Sequence, residues 1–342
     1  MLKAEISSLT LNFGFVARTS RETFTTKETF FLEVFDANNP RIRGVGEVPV
    51  FPSLMPSFKD RKTFLSQLDV FARNIDEYVH GRTLPENSAI RFGFESAMAD
   101  FAYGGTGYLQ PKEILENIKS GIRINGLVWM DSIENMSQQI GEKINSGFKC
   151  LKLKIGSHDF NRELYLLKAI RSEFPEERLE IRVDANGAFN EREVASRLDA
   201  LASLGLHSIE QPLPRDSQEI ANVCKNSPVP IALDEDMIER WWTRDHKIEW
   251  LAKIKPHYIV LKPSLIGGFD AADEWIEVAR ELDIRWWATS ALESNVGLSA
   301  IAQWLASHPE NLDMAHGLGT GQIYTNNPAG KVEIRGERLF ML

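Results

Sequence analysis

Cysteine is scarce in this sequence, and long apolar runs are absent from it. Cys150 and Cys224 are the two cysteines among 342 residues, and their spacing matches no metal-binding motif, so we expect reduced structural thiols. No stretch of about 18 uninterrupted apolar residues occurs, and the N-terminal residues lack the apolar segment of a secretory signal. The expected protein is therefore soluble and cytoplasmic, without a membrane partner.

Basic residues are fewer than acidic ones, and no glycine-rich phosphate-binding motif is found. The sequence has 39 lysines and arginines against 48 aspartates and glutamates, and its formal net charge is −9. An acidic surface argues against binding to nucleic acid and leaves a small molecule as the expected partner, with the oligomeric state open. Gly44-Val45-Gly46-Glu47 is too short to indicate a phosphate loop. An open doubly wound sheet, which normally carries a glycine-rich first crossover, is therefore the second choice of fold.

The first 120 residues predict an α+β capping domain. Alternating apolar and polar residues indicate three strands, and two segments have apolar residues at helical spacing. The predicted strands are Lys3–Leu11, Thr29–Phe35 and Ile42–Val50, and the predicted helices are Asp60–Tyr78 and Ser88–Tyr103. Between the first two strands, residues 16–27 are too polar and too numerous for a tight hairpin. We predict a long loop there, and loops of that kind are often functional.

Residues 121–317 predict a parallel β/α barrel. Strand-like segments alternate with amphipathic helices, and seven such units are typical of a barrel with buried strands. The strands begin near Ile122, Leu151, Leu179, His207, Pro230, Tyr258 and Arg285, and three of the helices are Asn161–Ser172, Arg192–Leu204 and Ala271–Leu282. A last short strand is expected at residues 313–315. The tail, residues 318–342, is expected to pack back on the first domain.

Charged side chains stand at the C-terminal ends of successive predicted strands. They are Lys152, Lys154, Asp184, Glu210, Asp234 and Lys262. The intervals 184−154 = 30, 210−184 = 26, 234−210 = 24 and 262−234 = 28 each match one strand-loop-helix-loop unit. A β/α barrel keeps its chemistry at this end of its strands. Any one acid alone is best explained as a solvated side chain, but the regular series predicts a common site.

The three acids predict a site for Mg²⁺, with Mn²⁺ as a substitute. Asp184, Glu210 and Asp234 supply hard oxygen ligands without cysteine or histidine, which disfavours zinc. Glu235 points to the opposite face of a regular strand, so we predict a supporting position for it outside the ligand set.

The lysines predict proton transfer next to a carboxylate. Lys152 and Lys154 share one strand face, and their apolar neighbours argue for a buried strand rather than a solvated edge. A desolvated lysine near other cations has a lowered pKa and can act as a general base. Together with a divalent cation that binds the substrate carboxylate, such a base would abstract the α-proton.

These ordered motifs resemble the muconate lactonizing subgroup of the enolase superfamily. The resemblance rests on Lys152-Leu153-Lys154, Asp184-Ala185-Asn186, Glu210-Gln211-Pro212, Asp234-Glu235 and residues 262–268, and it spans nearly the whole chain. It implies a modified TIM barrel of the (β/α)7β type with an N-terminal α+β cap. It also implies that Lys154 is the base, that Lys262 faces it from the other side, and that Mg²⁺ binds the three acids.

Within the subgroup, the chain is most similar to members that dehydrate a hydroxycyclohexadiene carboxylate to o-succinylbenzoate. The resemblance rests on Thr19-Ser20-Arg21, Lys27, residues 288–297 and residues 316–321, and it implies a cap loop that closes over the substrate. The residues expected to contact the substrate are Arg21, Lys27, Asn186, Ser290, Glu293 and Ser294. Dipeptide epimerases and N-succinylamino acid racemases of the same superfamily are alternatives. A non-catalytic binding barrel is an alternative of another class, although no lysine or carboxylate of the set is missing.

Overall fold

The N-terminal part of the chain forms an antiparallel sheet. The structure is a computed structural model that describes residues 1–18 and 23–342. Strands β1 (Leu2–Arg18), β2 (Thr23–Asp36) and β3 (Asn39–Pro49) pair in sequence order. Leu32 and Val34 are buried on the sheet face that packs against the helices of this region. The alternation of apolar and polar residues therefore forms the three strands that it predicts.

The long loop predicted over residues 16–27 is wrong for the part that the structure describes, because residues 16–18 and 23–27 belong to strands. β1 extends to Arg18 and β2 begins at Thr23, with Ala17 paired to Phe24 after a register shift. Cross-strand pairing satisfies the backbone of this polar segment, and Ala17 is buried beneath it. Residues 19–22, which include Arg21, lie outside the described residues.

Four helices follow the N-terminal sheet in the described chain. They are α1 (Arg61–Arg73), α2 (Ile75–Val79), α3 (Ser88–Ala102) and α4 (Lys112–Leu115). The single helix predicted over residues 60–78 is interrupted at Asn74, which has a non-helical ψ of 20°. The side-chain Nδ2 of Asn74 donates a hydrogen bond to the Val70 carbonyl at 2.7 Å. Asparagine side chains compete with the helix backbone in this way, which explains the interruption.

The second part of the chain forms a parallel sheet with helical crossovers. Within the described ranges the strands are β5 (Gly126–Val128), β6 (Cys150–Lys154), β7 (Glu180–Asp184), β8 (Ser208–Glu210), β9 (Ile231–Leu233), β10 (Tyr258–Leu261) and β11 (Arg285–Ala288). They are ordered β11-β10-β9-β8-β7-β6-β5. The helices are α5 (Ile133–Asn145), α6 (Phe160–Glu173), α7 (Val194–Leu201), α8 (Ile220–Asn226), α9 (Arg244–Ile254), α10 (Pro263–Ile266), α11 (Phe269–Glu281) and α12 (Asn295–Leu305).

A short extended segment closes this sheet into a barrel. His316 forms a parallel bridge with Ile124, and Gly317 forms one with Thr289. The expected strand at residues 313–315 is therefore displaced toward the C-terminus, because residues 309–311 form a helical turn and Met314 still bonds back to Asn311. The modified TIM barrel with an N-terminal sheet cap is confirmed, in agreement with the fold of structural neighbours described below.

The C-terminal tail forms a β-hairpin that pairs with the short strand preceding the barrel. Strands β12 (Val332–Arg335) and β13 (Arg338–Met341) pair with each other, and β13 pairs with β4 (Ile122–Arg123). The tail also contacts the cap sheet, since Phe13 bridges to Tyr324. The domain boundaries at residues 120 and 317 stay predictions. No helix in the described chain is long and apolar enough to span a membrane.

Candidate active site

The predicted charged residues meet at one mouth of the barrel. Strand register places Lys154 beside Asp184, and Asp184 beside Glu210. Asp234 directly follows β9, and Lys262 directly follows β10. The side chains of Asp184, Glu210 and Asp234 are almost fully buried. A parallel sheet brings the carboxyl ends of its strands to one edge, so residues far apart in sequence share this site.

The lysines and the acids form a network of buried ion pairs. Lys152 Nζ lies 2.6 Å from Glu210 Oε2 and 2.9 Å from Asp184 Oδ2. Lys154 Nζ lies 2.7 Å from Asp184 Oδ2. Lys262 Nζ donates to Asp234 Oδ2. Each predicted acid therefore has an ammonium partner at the centre of the barrel.

The charges of this network shift the pKa values of its members. Burial alone would lower the pKa of Lys152, but the carboxylates of Asp184 and Glu210 outweigh it and raise the pKa. Lys262 behaves in the same way, chiefly because of Asp234. The lowered lysine pKa that the sequence predicts depends on a cation beside the lysines and stays a prediction, since carboxylates alone dominate the surroundings of Lys152 and Lys262 here.

The acids are shifted in opposite directions. Burial would raise the pKa of Asp184, but the ammonium groups of Lys152 and Lys154 hold it below its usual range. Burial, reinforced by the negative charge of Asp184, raises the pKa of Glu210 to about 8. The charged form of Glu210 is therefore disfavoured at the barrel mouth, although Lys152 lies beside it.

The donor set fits a hard divalent cation. Asp184, Glu210 and Asp234 offer carboxylate oxygens alone, and a bound cation would favour the charged form of Glu210 that burial disfavours. Among the described residues, no three acidic, histidine or cysteine side chains are grouped as metal ligands, since these acids engage the lysines instead. Cation binding therefore requires these ion pairs to rearrange.

The turns after the strands hold the site in place. Asn186 has a φ of 45°, its Oδ1 accepts from Lys154 Nζ at 2.8 Å, and its Nδ2 donates to Glu235 Oε1 at 3.1 Å. Gln211 has a φ of 40°, and its Oε1 accepts from the backbone N–H of Asp234 at 3.1 Å. Gln211 was missed as a positioning residue. The available signal was a polar residue directly after a buried strand, at the same sheet edge as the acids.

A pocket opens above the charged network, between the barrel and the cap. Its apolar lining comes from Phe51, Leu54, Leu127, Trp129, Ala291 and Leu292. Its polar lining, besides the lysines, includes Ser53, Asn125, Asn186, Glu235, Thr289, Ser290 and Thr320. Asn125 Oδ1 and Thr289 Oγ1 are buried and have no hydrogen-bond partner within the described ranges. The pocket therefore suits a small, partly apolar molecule that also supplies hydrogen-bonding groups.

The residues expected to contact a substrate divide into two groups. Asn186 and Ser290 line the pocket. In the described chain, Lys27, Glu293 and Ser294 lie behind the wall of the pocket. Their partners are the Leu292 carbonyl for Lys27, Ser290 Oγ for Glu293, and Glu47 Oε2 for Ser294. Arg21 lies outside the described residues, and its expected contact stays a prediction.

Comparison with protein-family models identifies the family. A model described as "Enolase C-terminal domain-like" matches residues 135–339. The chain belongs to this family. Members of the enolase superfamily are Mg-dependent, which agrees with the all-carboxylate donor set.

Curated and solved relatives refine this placement. The chain is 40% identical to the o-succinylbenzoate synthase of Desulfotalea psychrophila, and the match covers 94% of both chains. It is 27% identical to the o-succinylbenzoate synthase of Bacillus subtilis, and that match covers 88% of this chain and 82% of the relative. The crystal structure of MenC from Desulfotalea psychrophila has a TM-score of 0.80 and 36% identity, and the match covers 99% of each chain.

A more distant neighbour shares the fold. The dipeptide epimerase from Enterococcus faecalis, complexed with Mg and the dipeptide L-Leu-L-Tyr, has a TM-score of 0.84, and the match covers 100% of this chain and 97% of that one. Its identity is only 19%, so it supports the barrel-and-cap architecture alone.

Proposed function

We propose that this protein is an o-succinylbenzoate synthase, a lyase that dehydrates 2-succinyl-6-hydroxy-2,4-cyclohexadiene-1-carboxylate in menaquinone biosynthesis. The observation that carries the proposal is the convergence of three lysines and three carboxylates at one barrel mouth. The near full-length similarity to an o-succinylbenzoate synthase supports the same reaction.

Mg²⁺ is the cofactor that this proposal assigns to the barrel mouth. Asp184, Glu210 and Asp234 would hold it, and Mn²⁺ would substitute because it also accepts carboxylate oxygens. When bound, the cation supplies a positive charge that orients the substrate carboxylate and lowers the energy of the negative charge that develops on it.

Lys154 is proposed to carry both proton transfers. As a neutral amine it would take the proton from the ring carbon that bears the carboxylate, breaking that C–H bond. The C–O bond to the ring hydroxyl then breaks, the ring becomes aromatic, and the Lys154 ammonium returns the proton to the departing hydroxyl, so that water leaves. Lys154 lies two residues further along β6 than Lys152, at the end of the strand. Its side chain is 11% exposed and lines the pocket, so a substrate in the pocket can contact its amine.

The other two lysines are proposed to act by charge. Lys262 lines the opposite side of the pocket as an ammonium, where it would stabilise the negative charge that develops on the substrate. Lys152, between Asp184 and Glu210, would keep these two acids in place. Asn186 would position Lys154, and Glu235 would position Asn186.

The pocket wall is proposed to determine which carboxylate enters. Phe51, Leu54 and Trp129 would face the hydrocarbon ring, and Ser290 would offer its hydroxyl to the polar side chain of the substrate. A dipeptide epimerase is expected to carry an Asp-x-Asp pair on its last barrel strand. In residues 312–316 the only acid is Asp313, and it precedes the closing segment Ala315-His316-Gly317, so no such pair is available for a substrate ammonium.

The experiment compares three substrate classes on the purified protein. The cyclohexadiene carboxylate, Ala-Glu dipeptides and N-succinylamino acids are each supplied with Mg²⁺, and product formation is followed by chromatography. Formation of o-succinylbenzoate at the highest kcat/KM is expected. Faster epimerisation of a dipeptide or racemisation of an N-succinylamino acid would replace the proposal with one of those activities. Inactivity in all three assays would favour a binding barrel.

A further inference from the structure

The pocket wall contains one residue with an unfavourable backbone conformation. Leu292 lines the pocket and has a φ of 61°, in the left-handed region that a branched residue rarely adopts. Such a conformation persists only when the surrounding structure holds it. The hydrogen bonds around Leu292 therefore decide the shape of this wall.

Two buried side chains hold the carbonyl of Leu292. Lys27 Nζ, on the cap strand β2, donates to it at 2.9 Å. Tyr324 Oη, on the C-terminal tail, donates to it at 2.7 Å. One carbonyl with two lone pairs thus joins the cap sheet, the tail and the wall of the pocket.

The residues beside Leu292 are held from the same side. Glu293 accepts hydrogen bonds from Ser290 Oγ and the Ala291 N–H, each at 2.7 Å. Glu47 of the cap accepts from the backbone N–H of Ser294 at 3.0 Å. Burial lowers the pKa of Lys27, and the carboxylates of Glu47 and Glu293 oppose that shift. The segment is therefore fixed by contacts that lie behind the pocket.

We propose that Lys27 is a positioning residue, which together with Tyr324 locks the Leu292 carbonyl and so shapes the pocket wall that touches the substrate. This inference rests on the proposed function for the identity of the substrate. It differs from direct substrate binding by Lys27, because the ammonium is directed at a backbone carbonyl behind the wall.

The two roles predict different behaviour in a double-mutant cycle. Lys27→Met removes the ammonium with little change in length, and Tyr324→Phe removes the hydroxyl but keeps the ring. If both donors act through one carbonyl, each variant lowers kcat/KM roughly 10- to 100-fold, with a fall in kcat, because a misplaced wall misaligns the substrate. The double variant then loses much less than the product of the two single losses.

A second measurement needs no substrate. Hydrogen–deuterium exchange of residues 289–294 should accelerate in both single variants, because the segment loses a donor that holds it. Lys247→Met is the matched control: Lys247 is equally buried and pairs with Glu274 on the outer helices of the barrel. This control should lose stability without altering exchange in residues 289–294 or the kinetic constants of the remaining folded enzyme.

The outcomes separate the proposal from its alternatives. Coupled losses of kcat together with faster exchange in residues 289–294 support it. Unchanged exchange, with additive effects and a rise in KM for Lys27→Met alone, would overturn it in favour of direct substrate binding. If the wild-type protein does not produce o-succinylbenzoate, the proposed function fails, and the exchange experiment still decides the positioning role. Should Lys27→Met not fold, Tyr324→Phe still reports kcat and exchange, and unaltered exchange in residues 289–294 of that variant overturns the proposal.

Discussion

The two sides of the pocket are built in different ways. On the barrel side, Lys154, Asp184 and Glu210 extend from neighbouring strands at matched register positions. On the cap side, the wall around Leu292 is a loop whose shape depends on side chains from the cap and the tail. Under the proposed function, residues on regular strands would carry the chemistry, whereas the fit of the substrate would depend on contacts between distant segments.

The largest expected effect tests the barrel side. Lys154→Arg keeps the positive charge but cannot act as a base, because a guanidinium hardly ever deprotonates, so dehydration should fall by about 10⁴-fold or more. Lys262→Arg keeps the charge that its role requires and should retain measurable dehydration. Any 1,1-proton transfer needs a base on each face and should disappear in both variants.

Steady-state assays of both variants at saturating Mg²⁺ check this assignment. Retained dehydration in Lys154→Arg together with its loss in Lys262→Arg would show that the base lies on the opposite face of the pocket.

A smaller effect is expected from removal of the metal. Chelation should lower kcat by about 10²- to 10³-fold, since a bound cation contributes several kcal/mol to charge stabilisation. Mg²⁺ or Mn²⁺ should restore the rate, and Zn²⁺ should do so poorly because the ligands are all carboxylates. The measurement is turnover after dialysis against chelator and readdition of each metal. Full activity in excess chelator, with no metal in the protein, would contradict the assignment of the barrel mouth.

One contact between the cap and the barrel, made by Glu239, predicts a loss of binding rather than of chemistry. Glu239, at the end of the barrel loop after β9, accepts from Ser57 N at 2.7 Å and from Ser88 Oγ at 2.9 Å. Glu239→Gln should destabilise the protein by about 1–3 kcal/mol, because a buried donor loses its charged acceptor. KM should rise with little change in kcat, since Ser53 and Leu54 precede this contact and line the pocket.

Thermal unfolding and steady-state kinetics measure the two effects. The exposed Glu249→Gln is the matched control and should change neither quantity. A fall in kcat at constant KM in Glu239→Gln would mean that this contact affects catalysis rather than binding.

A pH dependence of stability, without an effect on the chemistry, is expected at the joint between cap and barrel. Glu95, on α3, accepts a hydrogen bond from the Phe269 N–H at the start of α11. Burial, reinforced by the charge of Asp270 and opposed by that of Arg91, raises the pKa of Glu95 from 4.5 to about 8. The folded state therefore holds this proton more tightly than the unfolded state does.

The sign of the effect follows from that raised pKa. The contribution of Glu95 to stability is complete below pH 4.5 and is lost as the pH rises to about 8, with a slope of at most about 1.4 kcal/mol per pH unit. Denaturant unfolding between pH 5 and 9 should show this slope in the wild type, and Glu95→Gln should reduce it. An identical slope in the variant would show that Glu95 titrates normally.

The barrel side was predictable because its signals are local. A strand exposes alternate residues on one face, and parallel strands joined by helices end at a common edge. Lys152, Lys154, Asp184, Glu210, Asp234 and Lys262 could therefore be assigned to one site from their spacing alone. The helices Ser88–Ala102 and Phe160–Glu173 also lie where their apolar periodicity predicts them, within a residue or two.

The rest was decided by the tertiary structure, because it depends on backbone groups that need partners from distant segments. Lys27 and Leu292 are 265 residues apart, and Glu47 and Ser294 are 247 residues apart, so no local pattern connects them. Residues 23–27, predicted as part of a loop, belong to a strand because β1 pairs with Thr23, Phe24, Thr26 and Lys27, which composition does not reveal. The raised pKa values of Lys152 and Lys262 follow from carboxylates at the ends of other strands that folding places beside them.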